Sequence, residues 1–159
     1  MRHPERLGDW GGVFVVYLGV SAVGHLLWEI VQLPLYTLFW EATAGQIAFA
    51  VIHCTMGDLL IASLSALAAW LFAGAPPVRS DAFVRVALVA ILVGVAYTVF
   101  SEWWNVEVWR SWTYTSAMPR LPPWGTGLAP LLQWAIVPAV ACGVAWKRIV
   151  LKRHENRVA

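Results

Sequence analysis

Charge is scarce in this sequence. Only 13% of its 159 residues are Asp, Glu, Lys or Arg, against about 25% in soluble domains, and 60% are hydrophobic. A water-exposed globular surface is excluded by that balance. Cysteine is scarce as well: Cys54 and Cys142 show no C-x-x-C spacing and read as free thiols within apolar segments. The chain has no Walker-type lysine loop, no G-x-S-x-G elbow, no G-x-G-x-x-G after a strand and no H-E-x-x-H. Nucleotide hydrolysis on a P-loop, α/β-hydrolase chemistry and zincin chemistry are set aside with them. Internal repeats, low-complexity tracts and a second domain are also missing, and without an inverted repeat a transporter architecture has no support.

What is present is a set of long apolar runs. Crossing a hydrocarbon core takes roughly 20 apolar residues, and four segments qualify, at about 12–36, 45–73, 83–104 and 127–147. The expected fold is an all-α integral membrane bundle of four transmembrane helices in one domain, 1–159. "MRHPERLGDWGG" precedes the first run and no small-residue cleavage site follows it, so that run is expected to remain as a span.

Basic residues set the expected orientation. Arg2 and Arg6 lie in the N-terminal arm, Arg79 and Arg85 in the second connection, and Lys147, Arg148, Lys152, Arg153 and Arg157 at the C-terminal end. With four spans these fall on one side, which places both termini in the cytoplasm of an inner (plasma) membrane. The basic tail reads as a topology and anionic-lipid signal, not a nucleic-acid site. The opposite face is rich in Trp and Tyr, as an interfacial belt requires.

"GAPPVRSD" reads as a tight turn between the second and third spans. The third connection, "NVEVWRSWTYTSAMPRLPPWGTG", is long for a compact bundle, and loops of about 22 residues tend to carry function. It is expected to form a lid or interfacial helix over the outer end, or to be part of the aromatic belt.

Within the first span, "GHLLWEIVQLP" puts His25, Glu29 and Gln32 at i, i+4 and i+7, on one helical stripe. Thr98, Glu102 and Asn105 repeat that spacing in the third span. At 1.5 Å per residue, His25 and Glu29 lie roughly 20 and 26 Å from the inner start of their helix, His53 roughly 12 Å below the outer surface and close to the His25 level, and Glu102 near the outer end of its helix, within about one turn of the Glu29 level. Acids inside a membrane cost about 2.5–3.5 kcal/mol each on insertion scales, so they face the protein interior and pair. His25, Glu29, His53, Glu102 and Asn105 are therefore the catalytic candidates. Trp28, Gln32, Trp103, Trp109, Trp112 and Tyr114 are candidates for contact with substrate, the aromatic rings stabilising a cationic intermediate. Asp58 lies about 140° around its helix from His53 and is assigned with Thr98 and Gln133 to a supporting layer, Asp58 bonded to a neighbour such as Ser21 or Thr55.

The H-x-x-x-E pair of His25 and Glu29, the acid Glu102 on another helix, and the nearby Asn105 and Trp residues resemble the site of emopamil-binding-type sterol isomerases. The resemblance covers a handful of residues and no contiguous signature. It implies proton transfer to and from a sterol- or terpenoid-like substrate.

Three function classes remain open on these residues. The first is an acid-base isomerase or cyclase acting on a lipid-soluble substrate that enters between helices, with no cofactor required. The second is a carrier of haem, held by His25 and His53, or of a divalent metal, held by His25, Glu29, His53 and Glu102. The third is an accessory subunit or a proton pathway, with a homo-oligomer packed through small-residue surfaces such as "GVSAVG" as one form of it. Expected partners are membrane lipids and a hydrophobic small molecule, with no nucleic acid.

Overall fold

The computed structural model describes residues 5–73 and 80–158. Arg2 and the turn expected at 74–79 lie outside the described residues. Helix α1 spans Glu5–Gln32 and runs into a short 3-10 turn, Leu33–Leu35. There Pro34 cannot supply a backbone N–H to continue an α-helix. A single helical turn, α2 (Leu38–Glu41), leads to α3 (Ala44–Phe72). The start of α3 is a capping box in which the Thr43 side chain accepts from Gln46 N and the Gln46 side chain accepts from Thr43 N. Helix α4 (Ser80–Trp103) continues as a π-helical segment, Trp104–Val108, and α5 covers Leu128–Val158.

Four helices are long and apolar enough to cross a membrane, over Trp10–Leu35, Ala44–Phe72, Ser80–Val108 and Leu128–Arg148. These agree with the four runs read from sequence. Their outward surfaces are apolar around the whole bundle: Val15, Val31, Leu92 and Phe72 are 73, 78, 65 and 89% exposed. Each such side chain forfeits about 25 cal/mol per Å² if water is the solvent.

Neighbouring helices are α1 with α3, α3 with α4, α4 with α5, and α5 with α1. Helices α1 and α4 therefore face each other across the diagonal. The half of the bundle near the start of α1 is filled by rings: Trp10 stacks on Phe83, Phe14 meets Trp70 edge-on, and Phe83 packs against Trp146. At mid-height the helices close on small residues. Ala62 of α3 and Ala141 of α5 have no exposed surface, and a Cβ at Gly24 would come within 2.7 Å of Val137 Cγ1. Part of the "GVSAVG" surface is thus spent inside the bundle, on α5, because Ser21 and Gly24 lie on its inward stripe. Beyond this level the helices enclose a cavity.

The third connection is not an interfacial helix. Past the π-helical segment it is irregular, with a two-residue antiparallel pair, Arg120–Leu121 (β1) against Thr126–Gly127 (β2). Backbone bonds tie it to the end of α1: Thr37 N donates to Thr113 O and Thr115 N to Leu35 O. The rings of Tyr36 and Tyr114 sit 5.4 Å apart at this junction. Three prolines, at 119, 122 and 123, and glycines at 125 and 127 explain the lack of helix before α5.

Candidate functional site

The cavity has a volume of about 320 Å³, at the lower end of the usual range of small-molecule sites, roughly 300–1,000 Å³. All four long helices and Trp112 of the third connection contribute to its wall. Three carboxyl residues line it, Glu29 from α1, Asp58 from α3 and Glu102 from α4, and no Lys or Arg does among the described residues. Two lining residues, His53 and Tyr97, are also exposed on the outer surface. The cavity therefore opens sideways along α3 and α4.

On the α1 side a polar network forms the wall, and Gln133 is its centre. Its Nε2 lies 2.9 Å from Asp58 Oδ2, 3.1 Å from Glu29 Oε1 and 3.0 Å from His25 Nδ1. His25 Nδ1 is also 3.3 Å from Asp58 Oδ2. An amide has two protons. One arrangement satisfies every donor: the amide protons go to the two carboxylates, and His25 donates from Nδ1 to Asp58. Gln32 Nε2 donates to Glu29 Oε1 at 2.9 Å and to Gln133 Oε1 at 3.3 Å, and Trp134 Nε1 donates to Asp58 Oδ1 at 3.2 Å. His25 and Gln133 are buried. His25 Nε2 and the hydroxyls of Ser21 and Thr55 have no partner, so Asp58 is held by Gln133, Trp134 and His25, not by Ser21 or Thr55.

Glu102 stands on the diagonally opposite helix. Its carboxylate accepts a hydrogen bond from the Tyr114 phenol, and the same phenol oxygen accepts from Gly127 N at 3.1 Å. Arg120 covers the Tyr114 ring, 5.1 Å from its centroid. Burial, reinforced by the charge of Glu102, pushes the Tyr114 phenol far above its ordinary range. Tyr114 therefore stays protonated and remains a donor. Close approach at β2 depends on Gly127, where a Cβ would lie 3.0 Å from the Tyr114 hydroxyl.

The structure brings together His25, Glu29, Gln32, Asp58 and Gln133, and across the cavity Glu102, Thr98, Asn105 and Trp112. The stripe of Thr98, Glu102 and Asn105 faces inward as its spacing predicts, with Thr98 bonded to Gly94 O and Asn105 to Ser101 O. Several assignments change. His53 is exposed and stacks on Phe49 at 5.5 Å, so it does not face His25. His25 is fully buried while His53 is exposed at the edge of the cavity, so the two imidazoles are not presented as a matched pair for one haem iron. Five residues separate His53 from Asp58, about 140° around the helix. Only one of them can point at α1, and it is Asp58, which moves from the supporting layer to the cavity wall.

The four-ligand metal set fails for the same reason. No three His, Cys, Asp or Glu residues are grouped to hold a metal ion among the described residues. Between Glu29, Asp58 and His25 sits the Gln133 amide nitrogen, a hydrogen-bond donor where a cation would have to be. Trp103 and Trp109 are exposed and form an outer ladder with Phe100 and Trp104. They and the half-buried Trp28 lie outside the cavity wall. Tyr114 acts on Glu102 from behind the wall.

Trp134, Tyr36 and Cys54 line the cavity and were not foreseen. The available signal was "LLQW" in the fourth apolar run, where Gln133 interrupts the pattern next to an indole donor. No family model, curated protein or solved structure matches this chain.

Proposed function

We propose that this chain is an integral membrane protein of four spans with both termini cytoplasmic, and that its lateral cavity transfers protons to and from a lipid-soluble small molecule. The single observation that carries the reading is the placement of three carboxyl residues, Glu29, Asp58 and Glu102, around one cavity with largely apolar walls. Intramembrane acids are expensive and are retained where they act. A structural role alone would be met by their hydrogen bonds to neighbouring helices, and needs no cavity between them.

Glu29 and Glu102 approach a ligand from diagonally opposed helices. One carboxyl gives a proton to a carbon of an unsaturated ligand and the other removes a proton from a neighbouring carbon, so a double bond shifts with no net loss or gain. Gln133, Asp58 and His25 fix Glu29 from one side, and Tyr114 fixes Glu102 from the other. Trp112 and Trp134 add aromatic surface where positive charge would develop. The reaction class is isomerisation or cyclisation of a sterol- or terpenoid-type substrate, and the chemistry needs no cofactor.

The test is deuterium incorporation. Lipids co-purifying with the protein are identified by mass spectrometry, returned to the protein in D₂O, and followed for mass gain at carbon. Wild type is expected to incorporate deuterium. Glu29→Gln and Glu102→Gln are expected to abolish it while accumulating and inserting normally. Incorporation retained in both variants, or absent from wild type with every bound lipid, overturns the proposal.

A further inference from the structure

The cavity's hydrogen-bonding groups are unbalanced. Glu29 takes both of its hydrogen bonds at Oε1, from Gln32 and Gln133, and Oε2 meets no donor among the described residues. One turn further along α1, Gln32 is 5% exposed and lines the same cavity. Its Oε1 is buried without a partner. The amide orientation is not free to reverse, because Nε2 points at two acceptors, Glu29 Oε1 and Gln133 Oε1. Glu29 Oε2 and Gln32 Oε1 both favour an occupant that brings hydrogen-bond donors.

Charge is unbalanced in the same direction. Of the three carboxyl residues, Asp58 is already supplied with donors by His25, Gln133 and Trp134, and no Lys or Arg lines the cavity among the described residues. A bare metal ion does not fit, since no three ligating side chains converge and the Gln133 amide donates into the space between Glu29 and Asp58. A neutral alcohol offers one donor and no charge. A primary ammonium offers three donors and a positive charge, and Tyr36, Tyr97, Trp112 and Trp134 supply aromatic wall that favours a cation.

We infer that the cavity binds a protonated amine carried on an apolar skeleton, with the ammonium at Glu29 and Gln32 and the skeleton directed along the apolar wall towards the opening beside Tyr97. This deepens the functional reading above and rests on it for the cavity being a ligand site. With Glu29 engaged by the ammonium, Glu102 both gives the proton and removes one from the neighbouring carbon, so the shift still has no net gain or loss of protons.

Three probes sharing one terpenoid skeleton separate the possibilities: geranylamine, geraniol and geranate. Each is titrated at pH 7 into the full-length protein in lipid nanodiscs, with empty nanodiscs subtracted for partitioning, and binding is read by calorimetry and by tryptophan fluorescence. Geranylamine is expected to bind about tenfold or more tightly than geraniol, the scale of one charge-assisted hydrogen bond, with geranate weakest. Glu29→Gln and Gln32→Leu are expected to lower the amine's affinity while geraniol binding changes little.

Saturable binding in which geraniol equals or exceeds geranylamine overturns the amine assignment and leaves the acid-base cavity standing. Preference for geranate overturns it too. Heats identical to empty nanodiscs for all three probes overturn both. Amine-selective binding with no deuterium incorporation anywhere would leave the ligand class in place and remove the acid-base chemistry.

Discussion

His25 Nδ1 lies 3.3 Å from Asp58 Oδ2, joining α1 to α3 inside the bundle. His25 has no exposed surface. Asp58 also receives the Gln133 amide and the Trp134 indole, so three helices converge on one carboxylate. Removing it strands donors on the other two, His25 of α1 and Gln133 and Trp134 of α5.

Asp58→Ala is therefore expected to destabilise the bundle by roughly 3 kcal/mol, the loss typical when one partner of a buried pair is deleted. His53→Ala, on the exposed flank of the same helix, is expected to fall within about 0.5 kcal/mol of wild type. Reversible unfolding in mixed micelles measures both. Equal losses in the two variants would contradict the placement of Asp58 and His53 on different faces of α3.

Tyr114→Phe tests the tie between the third connection and α4. The hydroxyl serves Glu102 and Gly127 N at once, and its removal leaves a buried carboxylate and a backbone N–H each short of a partner. The expected loss is about 1–3 kcal/mol. Hydrogen exchange followed by mass spectrometry is expected to rise over residues 111–127 while α1 and α3 keep their protection. A rise spread over the whole bundle would show that the phenol supports the fold generally and does not anchor the connection.

These two sites also mark how far the sequence could be read. The spans were legible because an apolar run of fixed length has one structural solution in lipid. The inward stripes of His25, Glu29 and Gln32, and of Thr98, Glu102 and Asn105, followed from helical spacing alone. Helix rotation was not legible on α3, because His53 and Asp58 are both polar and the sequence does not say which one faces α1. Nor was the central place of Gln133: the sequence put it in a supporting layer, whereas its amide donates to two carboxylates and accepts from Gln32 as well. The aromatic residues of the third connection divide in the same way. Trp112 and Tyr114 turn inward while Trp109 stays out, following the irregular backbone that begins at the π-helical segment, where periodicity no longer predicts direction.

Gly94 is where packing and chemistry meet on α4. A Cβ there would come within 2.1 Å of Trp134 Cε3, and Trp134 is 2% exposed, so it has nowhere to go. Gly94→Ala is expected to cost about 1–3 kcal/mol by overpacking, and to pull the indole off Asp58. A changed tryptophan emission spectrum, together with weaker geranylamine binding, is the expected signature. An unchanged spectrum at full stability would mean that the ring relaxes without breaking its bond to Asp58.

Gly57 offers the opposite experiment. It lines the cavity, yet a Cβ at this position meets nothing within 4 Å, and it lies inside α3, where glycine is worth about 0.8–1 kcal/mol less than alanine. Gly57→Ala is expected to raise stability by up to about that amount and to leave ligand binding nearly intact. Gly57→Leu adds volume to the cavity without meeting a neighbour at Cβ, so the protein is expected to unfold no more easily than wild type and to bind geranylamine at least tenfold more weakly. Occupancy then falls in one variant of the pair while stability is kept in both, a separation that no purely structural role for the cavity's carboxyl groups produces. Undiminished binding in Gly57→Leu would place the ligand elsewhere on the bundle.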